Sequence, residues 1–439
     1  MSVRPPSGVE PLVISLSAPQ AADSARVGPK AANLAALGHG GLPIPDGFCI
    51  EARAYRVQLA ALGLEDAARG VFASEDAQAR RYALDMRLGL MDRPIVPAVA
   101  EAILAARAEL MERNAGAPVV VRSSALVEDR RGSSFAGQFE SFLELKDESE
   151  FLTAVRACWA ALWSTRALRY MATHDLDPAD TAMALLVQPL VAARTAGGAL
   201  SRTSEDTVLI NATWGLGSAI AQGEVAPDRY VLSREGAVLE AVAGSRHERH
   251  APGCAHTRRA TLPGRPRATT PCLTTDQAAE LGRLVQRTEE VMGMPVEVEW
   301  AMDDAGFKML QARPLNLQPA AIPDERWRRH PRINGQPAGV GWVTGRACVI
   351  NCECELSRVA PGDVLVTRMA GPALGQILPR VAGVVAELGG STSHLASLAR
   401  ERGIPMVLGA FDATHRIPEG SLVAVDGVAG IVRWQAANR

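Results

Sequence analysis

A histidine at the predicted start of a helix is the side chain in this sequence best suited to nucleophilic chemistry. It closes the segment 389–394, Gly-Gly-Ser-Thr-Ser-His, in which the glycines permit a tight turn and three hydroxyl residues can cap a helix. His394 then occupies the first helical turn, where free N–H groups and the helix dipole stabilise an anion and disfavour a protonated imidazole. The pattern predicts a neutral nucleophile whose phosphorylated form has N–H and hydroxyl donors around it. The alternative is a capping-region histidine without chemistry.

Other residues could bind the phosphates of a nucleotide. No Gly-x-x-x-x-Gly-Lys-Ser/Thr segment occurs in the sequence, which excludes a P-loop. A different mode of ATP binding needs cations for the phosphates and acidic or amide ligands for Mg²⁺. Lys30 lies at a predicted helix start, Arg122 lies at the end of a buried strand beside hydroxyls, and the loop 134–138 is small enough to close over phosphates.

A predicted hairpin over residues 296–313 could supply the metal ligands. The sequence Asp-Asp-Ala-Gly at 303–306 suggests a type I turn followed by Gly306 in the left-handed conformation, which makes a three-residue loop. This loop would pair Met302 with Lys308 across the two strands. A two-residue turn would instead move the polar residues of one strand to the opposite face.

With the three-residue loop, four polar side chains share one face of the hairpin. Glu299 lies opposite Gln311, and Glu297 lies opposite Arg313. The face would then carry Mg²⁺ ligands beside a phosphate-binding arginine. The alternative is a polar hairpin face that only contacts solvent.

The elements that must position these residues alternate between strands and helices. Residues 52–114 have helical spacing, and a charged, Pro-flanked stretch at 319–331 is the best linker candidate. We expect domains at 1–318 and 334–439, joined by a hinge at 319–333. The C-terminal part is predicted to be a small α/β domain with a helix at 394–402 and strands at 347–350, 364–367, 383–386 and 422–425.

Composition excludes several classes of protein. The chain of 439 residues exceeds what one core usually holds, which favours two or three domains. Its net charge of −2, with both signs interspersed, predicts no nucleic-acid or membrane surface. Neither a long apolar run nor a signal core is visible, so a cytoplasmic location is expected. The seven cysteines are predicted to be free thiols, and Cys352 and Cys354 have no obvious further metal ligands nearby.

The histidine segment resembles the phosphohistidine signature of the PEP-utilising enzymes. That family includes pyruvate phosphate dikinase, PEP synthase, glucan water dikinase and rifampicin phosphotransferase. The resemblance extends through residues 399–409, Ala-Arg-Glu-Arg-Gly-Ile-Pro-Met-Val-Leu-Gly, and implies that His394 carries the phosphoryl group. Leu395 and Ser397 depart from the small or β-branched residues that are usual there.

The rest of the chain resembles the same family's nucleotide-binding domain in family order. The matching segments, which together cover nearly the whole chain, include 30–34, 42–48, 121–125, 134–138, 214–217, 298–300 and 311–314. The resemblance implies an α/β (α+β) fold, with an ATP-grasp domain followed by a small α/β phosphohistidine swivelling domain. Ser218 replaces the glutamate that the family often carries at that position, so no role is assigned to it.

The resemblance also implies roles for the candidate site residues. Lys30, Arg122 and Arg313 would bind the nucleotide phosphates, and Glu299 and Gln311 would bind Mg²⁺. We expect a catalytic group of His394, Arg122 and Thr392.

The resulting expectation is an AMP-forming phosphotransferase that loads His394 from ATP–Mg²⁺. The acceptor would be an unidentified small molecule or a separate acceptor-domain protein, because the resemblance does not cover an acceptor domain. The alternatives are the ATP and phosphohistidine half of a split PEP synthase or dikinase, and a regulatory phosphocarrier module. The basic loop 245–270, which contains histidines and Cys254, could bind a metal or an acceptor, or could simply be solvated.

Overall fold

A computed structural model of the chain describes residues 11–128, 139, 141–244, 271–316, 327 and 329–435. The predicted loop 134–138, the basic loop 245–270 and most of the predicted hinge lie outside these residues. The chain divides into two compact units, Met1–Val191 and Ala192–Arg439.

The first unit contains a five-stranded antiparallel sheet, here called the N-terminal sheet. Its strands have the spatial order β1-β2-β5-β3-β4. They are β1 (Val13–Ser15), β2 (Phe48–Ile50), β3 (Val119–Ala125), β4 (Ser141–Leu145) and β5 (Met183–Pro189). The helices of this unit are α1 (Ser24–His39), α2 (Ala52–Leu62), α3 (Glu65–Ala73), α4 (Asp76–Asp92), α5 (Pro97–Arg113), α6 (Glu148–Ala161) and α7 (Thr165–Thr173).

Helix α1 is interrupted at Gly28, and this break positions the residues that follow. Gly28 has φ 76° and ψ 155°, and Pro29 comes next, so regular helix resumes only from there. A Cβ atom on Gly28 would lie 2.2 Å from the carbonyl oxygen of Ser124. Only glycine allows this approach to β3, and Lys30 therefore begins a helical segment against that strand.

The second unit contains two sheets. The first, here called the central sheet, is antiparallel with the order β11-β10-β6-β7-β8-β9. Its strands are β6 (Thr195–Leu200), β7 (Val208–Trp214), β8 (Asp228–Leu232), β9 (Val238–Val242), β10 (Val296–Asp303) and β11 (Gly306–Pro314). The short helix α8 (Ser218–Ala221) and the long helix α9 (Thr275–Met292) accompany it. A capping box of Thr274 and Gln277 begins α9, and Gly293 in the left-handed conformation ends it.

The other sheet, here called the C-terminal sheet, has eight strands in the order β12-β19-β18-β14-β15-β16-β17-β13. Strands β14 to β17 are parallel, and the flanking pairs are antiparallel. The strands are β12 (Arg332–Asn334), β13 (Gln336–Pro337), β14 (Trp342–Ile350), β15 (Val364–Thr367), β16 (Gly383–Ala386), β17 (Met406–Leu408), β18 (Leu422–Asp426) and β19 (Ile431–Trp434), with helices α10 (His394–Glu401) and α11 (Ala413–Arg416). The predicted small α/β fold of this part of the chain is confirmed, and the domain bounds 334–439 stay a prediction.

Helix α10 is the crossover between the parallel strands β16 and β17. Such a connection brings the loop at the carboxyl end of β16 and the start of the helix to one edge of the sheet, where α/β proteins commonly bind ligands. The strands behind it are apolar on both faces, with Val364, Val385 and Val407 fully buried. Among the helices described, none is long and apolar enough to cross a bilayer.

Candidate functional site

His394 is the first residue of α10, as the capping pattern predicts. Ser393 is the N-cap, and its side chain accepts a hydrogen bond from the backbone N–H of Ala396 at 3.2 Å. The positive φ of Gly389, 102°, makes the turn out of the strand. Ser391, Thr392 and Ser393 are buried, whereas His394 is half-buried. The helix start is therefore held rigidly while the imidazole is partly accessible.

The loop that precedes His394 packs closely against the central sheet. The N–H of Gly389 donates to the carbonyl of Val225 at 3.0 Å. Gly198 in β6 faces Thr392, and a Cβ atom on Gly198 would lie 2.5 Å from the Cβ of that threonine. A Cβ atom on Gly390 would likewise lie 2.7 Å from Pro227. The absence of side chains at these glycines is what permits this docked arrangement.

Buried amides add polar contacts to this glycine-lined surface. Asn211 of β7 is fully buried, and its Nδ2 donates to Oε1 of Gln336 at 3.0 Å. The N–H of Ser391 donates to the same oxygen at 3.3 Å, and the Thr392 hydroxyl makes a long contact of 3.5 Å with Oδ1 of Asn211. The amides therefore satisfy one another across the two sheets, which makes the docking specific.

The hairpin β10–β11 has the predicted pairs but not the predicted turn. Glu299 pairs with Gln311 and Glu297 pairs with Arg313, as expected. The loop, however, contains two residues, so Met302 pairs with Phe307 and not with Lys308. The expectation of a three-residue loop was wrong.

A β-bulge compensates for the shorter turn. Trp300 pairs with Met309 while Glu299 pairs with Gln311, so Leu310 is an extra residue in β11. The bulge brings Gln311 back to the face of Glu299. Gln311 is buried and Glu299 is half-buried, so the face is not simply a solvated surface.

The same face carries a buried charge cluster that connects the hairpin to α10. Both Arg313 and Arg400 contact the carboxylate of Glu297, at 3.1 and 2.8 Å. The hydroxyl of Ser397 lies between these groups, 2.8 and 2.9 Å from the carboxylate oxygens and 2.6 Å from Nη2 of Arg313. All four side chains are at most 9% exposed.

The charge cluster holds Glu297 in its ionised form. Burial alone would raise the pKa of this carboxyl, but the positive charges of Arg313 and Arg400 and the Ser397 hydrogen bond outweigh it and lower the pKa to about 2. The hairpin and α10 thus meet through a buried ionic contact of two arginines with one glutamate.

Lys30 and Arg122 belong to the first unit. The Lys30 ammonium donates to the carbonyl of Ser123 at 2.8 Å and pairs with Glu128 at 3.1 Å. Glu128 also accepts from the N–H of Ala125 at 2.7 Å, which fixes its carboxylate. Arg122 is half-buried in β3, next to Ser123. The predicted pair of phosphate-binding cations is therefore positioned by one helix start and one strand.

The structure thus groups the predicted site residues by unit. Lys30 and Arg122 belong to the first unit. In the second unit, the hairpin of the central sheet carries Glu299, Gln311 and Arg313. Thr392 and His394 lie on the loop and helix that pack against this sheet. Four residues that make these contacts were given no role from the sequence: Asn211, Gln336, Ser397 and Arg400. Arg400 lies within a segment quoted for the resemblance, and Ser397 was noted only as a departure from the usual residue. The six cysteines that the structure describes are free thiols.

Two family models match the chain. One, described as "Pyruvate phosphate dikinase, AMP/ATP-binding domain", matches residues 24–330, and the other, "PEP-utilising enzyme, mobile domain", matches residues 359–430. The second match contains the histidine helix, and the first contains both predicted cation sites and the hairpin.

Several similar curated proteins are named as phosphoenolpyruvate synthases or probable phosphoenolpyruvate synthases. A probable phosphoenolpyruvate synthase of Methanothermobacter thermautotrophicus is 31% identical over 416 residues, covering 92% of this chain and 61% of the relative. The Pyrococcus furiosus enzyme is 31% identical, covering 92% and 56%, and the Escherichia coli enzyme is 30% identical, covering 97% and 57%. The chain spans between 56% and 61% of the length of these three relatives. It belongs to the PEP-utilising enzyme family, in which it combines a pyruvate phosphate dikinase-type nucleotide-binding domain with the mobile domain.

Proposed function

We propose that this protein is an ATP-dependent, AMP-forming phosphotransferase that carries a phosphoryl group on His394. The observation that carries the proposal is the docking of α10 on the β10–β11 hairpin. Ser397, one turn after His394, contacts Glu297 and Arg313 at 2.6 to 2.9 Å. The helix that begins with the nucleophile therefore packs directly on the hairpin proposed to bind the metal and the phosphates.

In the first step the unprotonated ring nitrogen of His394 attacks the β-phosphorus of ATP. The bond between that phosphorus and the oxygen bridging to the α-phosphate breaks, and AMP leaves with the electron pair. The diphosphoryl group on the imidazole then loses its terminal phosphate to water, which leaves one phosphoryl group on His394. The helix N-terminus and the nearby hydroxyls stabilise the charge on that group.

Magnesium fits the hairpin face. Glu299 and Gln311 offer carboxylate and amide oxygens, the ligands that this hard cation prefers, from directly paired positions. These two residues would hold the ion, which would neutralise phosphate oxygens and orient them for in-line attack. Lys30, Arg122 and Arg313 would bind the phosphate groups and neutralise the rest of their charge. Thr392 would be a further catalytic residue next to His394.

The acceptor is proposed to be a small molecule or a separate acceptor protein. To reach it, the mobile domain must leave the docked position. We propose that it moves on the hinge 319–333 between domains 1–318 and 334–439, which replaces diffusion of a labile intermediate.

A second candidate is the ATP and phosphohistidine part of a phosphoenolpyruvate synthase. It is favoured by the names of the relatives and by the fraction of their length that this chain spans. The phosphoryl group would then pass to pyruvate.

Labelled ATP tests the proposal. With Mg²⁺ and no acceptor, β-labelled ATP should give an acid-labile, alkali-stable phosphoprotein and one AMP per label, because phosphoramidates have that stability. His394→Ala should abolish labelling but keep ATP binding near normal. His415→Ala is the matched control. This histidine lies in α11, beside the C-terminal sheet, and its side chain is 81% exposed, so its removal should disturb little.

Undiminished labelling of His394→Ala would exclude His394 as the carrier. Label without AMP would exclude attack on the β-phosphorus. Addition of pyruvate to the labelled protein separates the two candidates, since only the second predicts phosphoenolpyruvate as a product.

A further inference from the structure

Ser397 has an unusual environment for a serine inside a helix. Such a serine ordinarily bonds to the carbonyl four residues earlier, and here that oxygen, on Ser393, lies 3.3 Å away. The contacts to Glu297 and to Arg313 are shorter, at 2.6 to 2.9 Å. The hydroxyl therefore makes its shorter hydrogen bonds with the hairpin and not with its own helix.

Counting donors and acceptors fixes the direction of each bond. Nη2 of Arg313 and Nη2 of Arg400, at 2.6 and 3.3 Å, can only donate to the Ser397 oxygen. The single hydroxyl proton is then directed to the carboxylate of Glu297. Ser397 thus accepts from two cations and donates to the anion between them, a role that an apolar side chain cannot fill.

The orientation of Arg313 follows from these bonds. Its Nε and Nη2 contact the two oxygens of Glu297 at 3.2 and 3.1 Å, and the same Nη2 contacts Ser397. Glu297 holds the Nε–Nη2 edge of the planar guanidinium, and the bond from Nη2 to Ser397 adds a third contact that restrains its rotation. Glu297 comes from the neighbouring strand and is always present, whereas Ser397 comes from the mobile domain.

We propose that Ser397 is a positioning residue of the ATP site, which orients the Arg313 guanidinium for phosphate binding when the mobile domain is docked. This inference rests on the proposed role of Arg313 as a phosphate ligand. It means that the nucleotide site is complete only in the docked arrangement. By linkage, bound nucleotide must in turn favour docking.

The test compares two side chains of equal shape. Ser397→Thr keeps the hydroxyl, and Ser397→Val replaces it with a methyl group. Binding of α,β-methylene-ATP with Mg²⁺ is measured by calorimetry, since this analogue cannot release AMP. Ser397→Val should weaken affinity about tenfold, the scale of one hydrogen bond to a charged group, and Ser397→Thr should stay within about twofold to threefold. Ser397→Ala, which cannot clash, should match the valine variant.

A double-mutant cycle with Arg313→Lys makes the inference specific. In the lysine background, Ser397→Val should lower affinity by less than about twofold, because there is no guanidinium left to orient. An unchanged affinity of Ser397→Val, an equal loss for the threonine variant, or a full tenfold loss in the lysine background would each overturn the inference. Normal affinity of Arg313→Lys would do the same. Failure of the proposed function appears separately, as absence of label on His394.

Discussion

The protein has two regions in which a cation proposed to bind phosphate is paired with a buried glutamate, and they differ in where the partners come from. In the Lys30 region, Ser123 and Glu128 belong to the same unit as the lysine. In the hairpin region, the partner of Arg313 on its own sheet is Glu297, while Ser397 is brought by the C-terminal sheet. If the mobile domain moves as proposed, the first cation keeps its partners throughout, and the second has all of its partners only in the docked arrangement.

This difference suggests different roles for the two cations in the proposed reaction. Under the proposed function, a lysine fixed within one unit would bind nucleotide in every position of the mobile domain. Under the same proposal, an arginine whose geometry depends on docking would contribute most when His394 is in place to react. The interaction of Arg313 with the phosphates would then be strongest in the reactive arrangement. Interactions that strengthen towards the transition state are the ones that accelerate the chemical step.

The largest expected effect tests whether the metal site lies only in the hairpin region. Glu299→Ala or Gln311→Ala should slow labelling of His394 by at least about a hundredfold, the scale of one lost electrostatic ligand in a transition state. Raised Mg²⁺ or Mn²⁺ should restore part of the rate. Glu128→Gln in the Lys30 region is the matched control, and its rate should not respond to metal concentration. Labelling at the normal rate in both hairpin variants would show that the face is only a polar surface.

A smaller effect is expected from closing the glycine-lined surface. Gly198→Ala adds a Cβ atom 2.5 Å from that of Thr392, and overpacking of this kind costs about 1–3 kcal/mol. Labelling should slow by about tenfold or more because docking is weakened. Nucleotide binding by the Lys30 region should persist. Gly236→Ala is the control, since open space surrounds that glycine, although its φ of 91° costs some backbone strain. Equal rates for wild type and Gly198→Ala would mean that docking does not limit the reaction.

The smallest effect is a dependence of docking on pH. The folded pKa of Glu297 is about 2, below its ordinary value of 4.5, so its ionised form contributes stability that is present above pH 4.5 and is lost as the pH falls towards 2. Protonation removes the charge but leaves the side chain in place, which is milder than truncation. The protection factors of the α10 amides, which are exchange rates corrected for the intrinsic effect of pH, should therefore fall over this range. In Glu297→Gln the exchange should already be faster at neutral pH and should change less on acidification, and a parallel response of both proteins would assign the effect to other groups.

Much of the fold could be predicted from the sequence because its local signals agree. Residues 364–367 and 383–386 are strands with the predicted bounds, since short apolar runs between Gly turns leave few alternatives. The family and the mixed α/β class were likewise predicted correctly, because the motifs extend over nearly the whole chain. The start of α10 at His394 followed from its capping residues.

The contacts between the sheets could not be predicted in this way. Asn211 and Gln336 are 125 residues apart and belong to different sheets, and no local periodicity relates them. Ser397 was noticed as a departure from the usual residue, but its partners became visible only when the hairpin and helix were placed together. Tertiary packing, which local patterns do not encode, decided both cases.

The bulge at Leu310 has a consequence for how this hairpin can change by insertion and deletion. A three-residue loop without a bulge and a two-residue loop with one bulged residue use the same number of residues between Glu299 and Gln311. The pairing of Glu299 with Gln311 thus depends on the number of residues between them. The extra residue can lie in the loop or in β11 without moving the proposed metal ligands. Substitutions in the two-residue loop should then leave the positions of the proposed metal ligands unchanged. A net gain of one residue must be absorbed by a further irregularity, or it turns one ligand away from the other.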